Sequence, residues 1–517
     1  MQPQPVAGAP EIHRNFIGGE WVDARSGAAF EDIDPATGEV VGVFPRSGPE
    51  EVRRAVAAAR EAFPSWSRTP APVRGEILHR ASLLLRAEKE EIARLMTREM
   101  GKVLVETRGD VQEGIDTALY QASEGRRLFG ITTPSELRDK FAMTVRMPVG
   151  VAALITPWNF PIAIPSWKIF PALLCGNTVV FKPASDTPAC AARLVALLAK
   201  AGVPPGVVNL VYGTGGEAGA ALVSEPGVDL ISFTGSSAVG SAIAETGARL
   251  HKKVSLEMGG KNGQIVMDDA DLSLAVEGAL WGAFGTTGQR CTATSRIIVH
   301  KKVVKEFTET LVARAQALRI GNGLDPRTQM GPLINEAARE KVHRYVRIGI
   351  DEGAKLLCGG ASHEEGECTR GFFYKPTIFT DGDPKMRIAQ EEIFGPVTLI
   401  LPVDDLDQAI AVHNATRYGL SSSIYTRDVN QAFRAICDIE AGITYINGPT
   451  IGAEAHLPFG GIKETGNGHR EGGTAVIDIF TEWKTVYIDY SGKLQKAQID
   501  TPDPGGDGDN SAGKPNG

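Results

Sequence analysis

The 517-residue chain contains no stretch near the roughly 18 consecutive apolar residues that a membrane-spanning helix requires. It also lacks a surplus of basic charge. Its 54 Lys and Arg stand against 62 Asp and Glu, a formal net charge of −8, which gives no basic field for a phosphate backbone. Neither a membrane protein nor a nucleic-acid binder is expected. The opening MQPQPVAGAPEIHRNF lacks the apolar run of a signal peptide, so the expectation is a soluble, cytoplasmic chain. Cysteine is sparse: Cys175, Cys190, Cys291, Cys358, Cys368 and Cys437 lie scattered with no C-x-x-C and no close Cys/His pairing. That excludes the signatures of a disulfide framework and of a metal site. Reduced thiols are the default, five of them serving packing, and the question is whether one is reactive. No internal repeat with a period of about 20–50 residues is evident.

What is present is ordinary globular material, 42% hydrophobic and 22% charged, enough for about three units at roughly 150 residues each. Between Glu50 and about Gly125, EEVRRAVAAAREAF and RGEILHRASLLLRAEKEEIARLMTREMG space apolar residues by three and four, and these helices read as covering elements rather than sites. After Gly150 the pattern changes to short β-branched runs beginning at Val151, Thr178, Val207, Leu230 and Val254. Their starts lie 27, 29, 23 and 24 residues apart, the length of one strand plus a crossover helix. A parallel, doubly wound sheet is expected over 151–258. The helix after the second run has legible ends, with Thr187 as cap, Pro188 in the first turn and Gly202 in the left-handed closing position. A second α/β unit is expected between about Gly260 and Gly460. Residues 475–494 alternate in polarity after both units, which suits an edge strand expected to pair across a subunit interface. From 497 onward the chain is expected to be disordered: Thr501 to Gly517 holds five Gly, three Pro and one Ala.

Three segments carry chemistry. GTTGQRC at 285–291 is a Gly-rich loop ending at Cys291 beside Arg290, and a neighbouring cation with backbone N–H groups favours the thiolate. LEMGGK at 256–261 places Glu257 at the carboxyl end of a strand, where burial suits a general base, followed by glycines that permit close approach. TPWNFP at 156–161 follows the first strand, and the Asn159 amide there either donates to a developing oxyanion or closes an Asx turn.

Together these segments resemble the aldehyde dehydrogenase superfamily. PWNFP at 157–161, FKPAS at 181–185, FTGS at 233–236, LEMGGK at 256–261, GQRC at 288–291, EEIFGP at 391–396 and PFGGIK at 458–463 match its motifs in order. The likeness spans about residues 15–490. It implies an α/β fold of three parts: a Rossmann-like dinucleotide-binding domain (1–125 and 148–259), a second α/β catalytic domain (260–460), and a small β oligomerisation element (126–147 and 475–494) that builds a homodimer or homotetramer. It implies Cys291 as nucleophile, Glu257 as base, and Asn159 with the Cys291 N–H as oxyanion hole. The activity implied is NAD- or NADP-dependent oxidation of an aldehyde to its acid through a thioester. Coenzyme A-acylating relatives typically lack the Glu, so its presence favours hydrolysis, and a non-catalytic relative would be expected to lose nucleophile or base.

The resemblance also implies cofactor contacts: Lys182 at the adenosine ribose, Gly235, Ser236 and Gly240 under the pyrophosphate, Glu392 at the nicotinamide ribose, with Trp158 and Phe394 in the same pocket. One departure is Ser185, where many NAD-preferring members carry a Glu on the ribose hydroxyls. Without that carboxylate a 2′-phosphate is tolerated and either cofactor is admissible, unless Asp186 restores the charge. Phe160, Trp167 and Phe459 correspond to aromatic positions around the aldehyde, suiting an apolar or flat substrate. Arg290 either recognises a distal carboxylate, as a semialdehyde requires, or holds the loop by a salt bridge. His456 reads as a rim residue.

Overall fold

A computed structural model describes residues 11–500; the expected disorder of 501–517 lies outside the described residues. VAALI and TVVFK form the Val151–Ile155 and Thr178–Lys182 strands, buried at every position. Such unbroken apolar runs belong in a parallel sheet covered on both faces. The sheet has seven strands in the order Lys253–Glu257, Leu230–Thr234, Val151–Ile155, Thr178–Lys182, Val208–Leu210, Asn15–Ile17 and Glu20–Val22. The first five are parallel and the last two antiparallel. Chain order reverses at Val151–Ile155, because its successor pairs on one side and Leu230–Thr234 on the other. Ligands bind beyond the carboxyl ends of strands at such a switch point, and residues 156–161 sit there.

A second seven-stranded sheet runs Lys355–Cys358, Thr377–Thr380, Val397–Val403, Thr294–His300, Asn262–Val266, Ser421–Tyr425 and Ile443–Ile446, parallel except for its first pair. Glu257 ends the last strand of the first sheet and Asn262 opens a central strand of the second. The four residues between them therefore form the seam between the sheets.

The helix Pro188–Ala201 keeps Pro188 in its first turn and closes on Gly202 at φ 102°. Its cap differs from expectation. Thr187 makes no capping bond; the Glu99 carboxylate, from a different helix, accepts the Ala189 N–H and, at 3.0 Å, the Cys190 N–H. A buried carboxylate brought in by packing does the work that local sequence assigns to a hydroxyl.

The C-terminal segment differs as well. Ile477–Phe480 is a helical turn, and the strand is Thr481–Asp489. It pairs along its whole length with Lys140–Pro148 of the same chain, which also pairs with Thr132–Pro134. The expected cross-subunit pairing of 475–494 is therefore corrected for one edge: the hairpin supplies the partner that the two large sheets do not. Four of the six cysteines are buried, Cys291 is partly buried and Cys437 is exposed, so Cys437 is not a packing residue.

Candidate active site

Two cavities meet at Cys291. One, of about 260 Å³, is lined by Trp158, Asn159, Thr234, Gly235, Ser236, Glu392 and Phe394 among others. The second, of about 60 Å³, is lined by Glu113, Phe160, Trp167, Glu257, Arg290 and Phe459 among others. Cys291, Ile164, Thr234 and Met258 belong to both. The structure thus gathers most of the residues singled out by sequence around one thiol.

The loop that carries Cys291 is wound tightly. Thr286 and Thr287 adopt φ of 52° and 58°, a left-handed conformation that is costly for a β-branched side chain and persists only where the surroundings enforce it. They do. Thr286 N–H donates to both Glu106 oxygens at 2.9 and 3.0 Å, and the Thr287 hydroxyl donates to Gly331 O at 2.9 Å. Gln289 accepts the Ile334 N–H at 2.9 Å. Past the turn, Asn262 donates to Cys291 O at 2.8 Å and the Thr450 hydroxyl to Thr292 O at 2.7 Å. Gly259 and Gly260 matter because side chains there would meet the Glu392 carboxylate and the Cys291 carbonyl.

Arg290 is held within this loop. Its Nε donates to the Thr286 hydroxyl at 2.9 Å and its Nη2 lies 3.1 Å from Glu106. Nη1 has no hydrogen-bond partner among the described residues, and the guanidinium sits 5.2 Å from the Phe160 ring centre. The idea that Arg290 favours the thiolate is corrected. Burial, then the Glu392 and Glu257 carboxylates, push the Cys291 thiol up to about 12, and the opposing influences are the N–H groups of Thr292 and Cys291.

Glu257 is 3% exposed, and neither of its oxygens has a hydrogen-bond partner among the described residues. Its carboxyl is pushed well up by burial and then by Glu471, while Lys168 and Arg470 oppose. Glu471 itself pairs with the buried Lys168, which donates to the Ser232 hydroxyl at 2.9 Å. The Asn159 amide donates to Gln289 O at 3.0 Å, fixing its plane, and its Oδ1 has no partner among the described residues.

Of the residues expected at the cofactor, Gly235, Ser236, Trp158, Glu392 and Phe394 line the larger cavity. The Phe394 ring stands edge-on to Trp158 at 5.4 Å, on a backbone at φ 62°. Glu392 accepts the Gly260 N–H at 3.1 Å. Gly240 does not reach this cavity; it faces Met258, letting the Ser237–Arg249 helix pack closely. Ser185 donates to Gly213 O at 3.1 Å, and Asp186 accepts from Asn335 at 2.8 Å. Lys182 is buried at a strand end, donates to Pro183 O at 2.7 Å and is pulled down to about 8 by desolvation. His456 is exposed, 3.5 Å from Glu454.

These surroundings fit a dinucleotide. Ser236 caps the 13-residue Ser237–Arg249 helix without a side-chain bond, leaving its first-turn N–H groups open to an anion. The buried hydroxyls of Thr234 and Ser237 have no partner among the described residues. A mostly apolar cavity of about 260 Å³, lined by Ile155, Val223, Phe233, Val239 and Ile243 among others, lies along the same helix.

Residues 21–486 match the family model described as aldehyde dehydrogenase family. The chain belongs to the aldehyde dehydrogenase family. It is 42% identical to the α-ketoglutaric semialdehyde dehydrogenase of Bacillus subtilis, covering 92% of this chain and 97% of that one. Identity is also 42% to the NADP+ succinate-semialdehyde dehydrogenase of Escherichia coli, again over 92% of this chain and 97% of the relative. A solved betaine aldehyde dehydrogenase from Staphylococcus aureus in complex with NAD+ superposes with a TM-score of 0.91 at 35% identity, covering 93% of this chain and 95% of that chain. This aldehyde dehydrogenase is therefore an oxidoreductase acting on aldehydes with NAD or NADP.

Several residues of the enzyme's site escape sequence reading. The Leu104–Glu124 helix, expected only to cover the core, presents Glu106, Asp110 and Glu113 at helical spacing toward the site. Lys102 pairs with Asp110 at 2.8 Å, both side chains fully buried, and its ammonium lies 3.4 Å from the Phe160 ring centre. The available signal was a row of acids on a face that apolar periodicity assigns to packing.

Proposed function

We propose that Cys291 is the nucleophile of this aldehyde dehydrogenase, Glu257 its general base, and Asn159 with the Cys291 N–H its oxyanion donors. The observation that carries this is the position of Cys291 on the common wall of two cavities, one suited to a dinucleotide and one that also holds Glu257. The thiol adds to the aldehyde carbon and its proton leaves to a nearby carboxylate. The oxyanion that develops is met by the Asn159 amide, already oriented through Gln289. A nicotinamide held by Trp158, Glu392 and Phe394 would supply the two-electron acceptor that this oxidation needs, leaving the acyl group on Cys291 as a thioester. Glu257, whose oxygens are uncommitted, then takes a proton from water as it attacks the thioester, releasing the acid. Lys182, Gly235, Ser236 and Glu392 are proposed for the dinucleotide, with Gly240 acting only through the close packing of the Ser237–Arg249 helix. A neutral Ser185 leaves room for NADP beside NAD.

The substrate proposed is an aldehyde with a distal carboxylate. Arg290, a cation on the wall of the smaller cavity, supports it, and so do the semialdehyde relatives. Phe160, Trp167 and Phe459 would hold the chain between, the last two rings lying 4.7 Å apart. The enzyme is proposed to work in the cytoplasm as a homodimer or homotetramer, with its domains divided at 1–125 and 148–259, 260–460, and 126–147 and 475–494. A panel of alkanals and ω-carboxyl aldehydes of equal length, each with NAD and NADP, tests the substrate reading. The expectation is at least about tenfold higher kcat/KM for the carboxylates, from one charge-assisted pair. Equal efficiency overturns it.

A further inference from the structure

Glu113 is a carboxyl group of the smaller cavity that the reaction leaves unused. It lies on the Leu104–Glu124 helix seven residues after Glu106, and it lines the cavity together with Cys291, Trp167 and Arg290. Its neighbours on the helix are both committed, Glu106 to Arg290 and Thr286, Asp110 to Lys102 and the Ala163 N–H. The buried Oε1 of Glu113 has no partner among the described residues. An unpartnered carboxyl oxygen on a cavity wall that Arg290 also lines is a recognition element for something that enters the cavity.

We infer that Glu113 determines how well the cavity accepts an anionic aldehyde: as a neutral acid it donates a hydrogen bond to the substrate's far oxygen beside Arg290, and as a carboxylate it repels that oxygen. The inference rests on the reading that this cavity takes the aldehyde. The surroundings hold the acid form. Burial and then the Asp110 carboxylate push Glu113 up to about 8, opposed by Lys102, Arg290 and the Trp167 indole. The other titratable groups lining the space are the Cys291 thiol and the Glu257 and Glu471 carboxyls, and Tyr445, outside the lining, has its hydroxyl raised by burial, by Glu113 and by Glu454. A folded value above the ordinary one means that Glu113 is neutral below about pH 8 and charged above it. The KM for an anionic substrate therefore rises with pH, and that for an uncharged one does not follow.

The experiment compares 4-oxobutanoate with butanal on the full-length enzyme with saturating cofactor, from pH 6.5 to 9.5, in wild type and Glu113→Gln. Taking the ratio of the two substrates cancels pH effects on Cys291 and Glu257. In wild type the kcat/KM ratio of 4-oxobutanoate to butanal is expected to fall roughly ten- to a hundredfold across the range, carried by KM, as a charge appears a few ångströms away. Glu113→Gln keeps a donor and the volume but cannot ionise, so its ratio is expected to stay flat. A flat ratio in wild type, or the same fall in both proteins, overturns the inference. Should butanal be preferred at every pH, the carboxylate reading of the substrate fails while the pH dependence of the ratio still tests Glu113.

Discussion

Cys291 and Glu257 hold their protons tightly for the same reason: burial in a space where each carboxylate raises its neighbours. Deprotonation of either is a step the site must drive, and the two variants separate the half-reactions. Cys291→Ala is expected to lower aldehyde oxidation by at least about a thousandfold while cofactor affinity, measured by fluorescence titration, changes little. Turnover near wild type would remove the assignment. In Glu257→Gln, acylation and hydride transfer proceed and hydrolysis stalls, so stopped-flow absorbance is expected to show one equivalent of reduced cofactor followed by a slow steady state. With its carboxyl raised, Glu257 as the proposed base would act only above its elevated value, and wild-type hydrolysis is expected to speed up as pH rises through it. At this scale the sequence was legible where a motif fixes a position: Cys291, Glu257 and Asn159 all line the two cavities. It was not legible where charge is decided by distant partners. Arg290 looks like an activator of its neighbour, yet its partner is Glu106, 184 residues away in sequence.

The elements that shape the site divide along the same line. Strands beginning at Val151, Thr178 and Leu230 start where apolar runs start, since burial on both faces leaves a strand no other pattern. The Leu104–Glu124 helix follows the opposite logic: its acids face inward because the nucleophile loop and Lys102 come to meet them, and helical periodicity records nothing of that. Its Glu106 holds the strained turn at Thr286 and Thr287 against relaxation. Replacing Glu106 by Ala leaves Arg290 largely buried without its partner and frees the Thr286 N–H. Loss of such a pair costs roughly 3–5 kcal/mol, read as a lowered unfolding midpoint in urea. Since the turn sets where Cys291 sits, kcat is expected to drop with little change in cofactor affinity. A variant with wild-type kcat would show that the loop keeps its shape without the anchor.

At the scale of the whole molecule, two of the sheet edges among the described residues bear on assembly. Ile443–Ile446 ends the second sheet, and Thr481–Asp489 has the hairpin on one side only. The latter exposes Trp483, Tyr487 and Ile488 on nine residues of strand, a long apolar edge of the kind that soluble chains cover. The alternation in 475–494 announced an edge strand; that its first partner lies more than 300 residues earlier was beyond any local pattern. A second copy on its outer edge, as proposed, would account for both the length and the apolar side chains. Truncation after residue 474 removes the strand and uncovers the Lys140–Pro148 strand, and is expected to give smaller or aggregated species by light scattering. Truncation after residue 496 keeps every strand pair and is expected to leave the oligomer as it was. A dimer or tetramer that survives loss of 475–517 would place the contact elsewhere on the surface, and a 496 truncation that dissociates would assign it to the terminal residues instead of the strand.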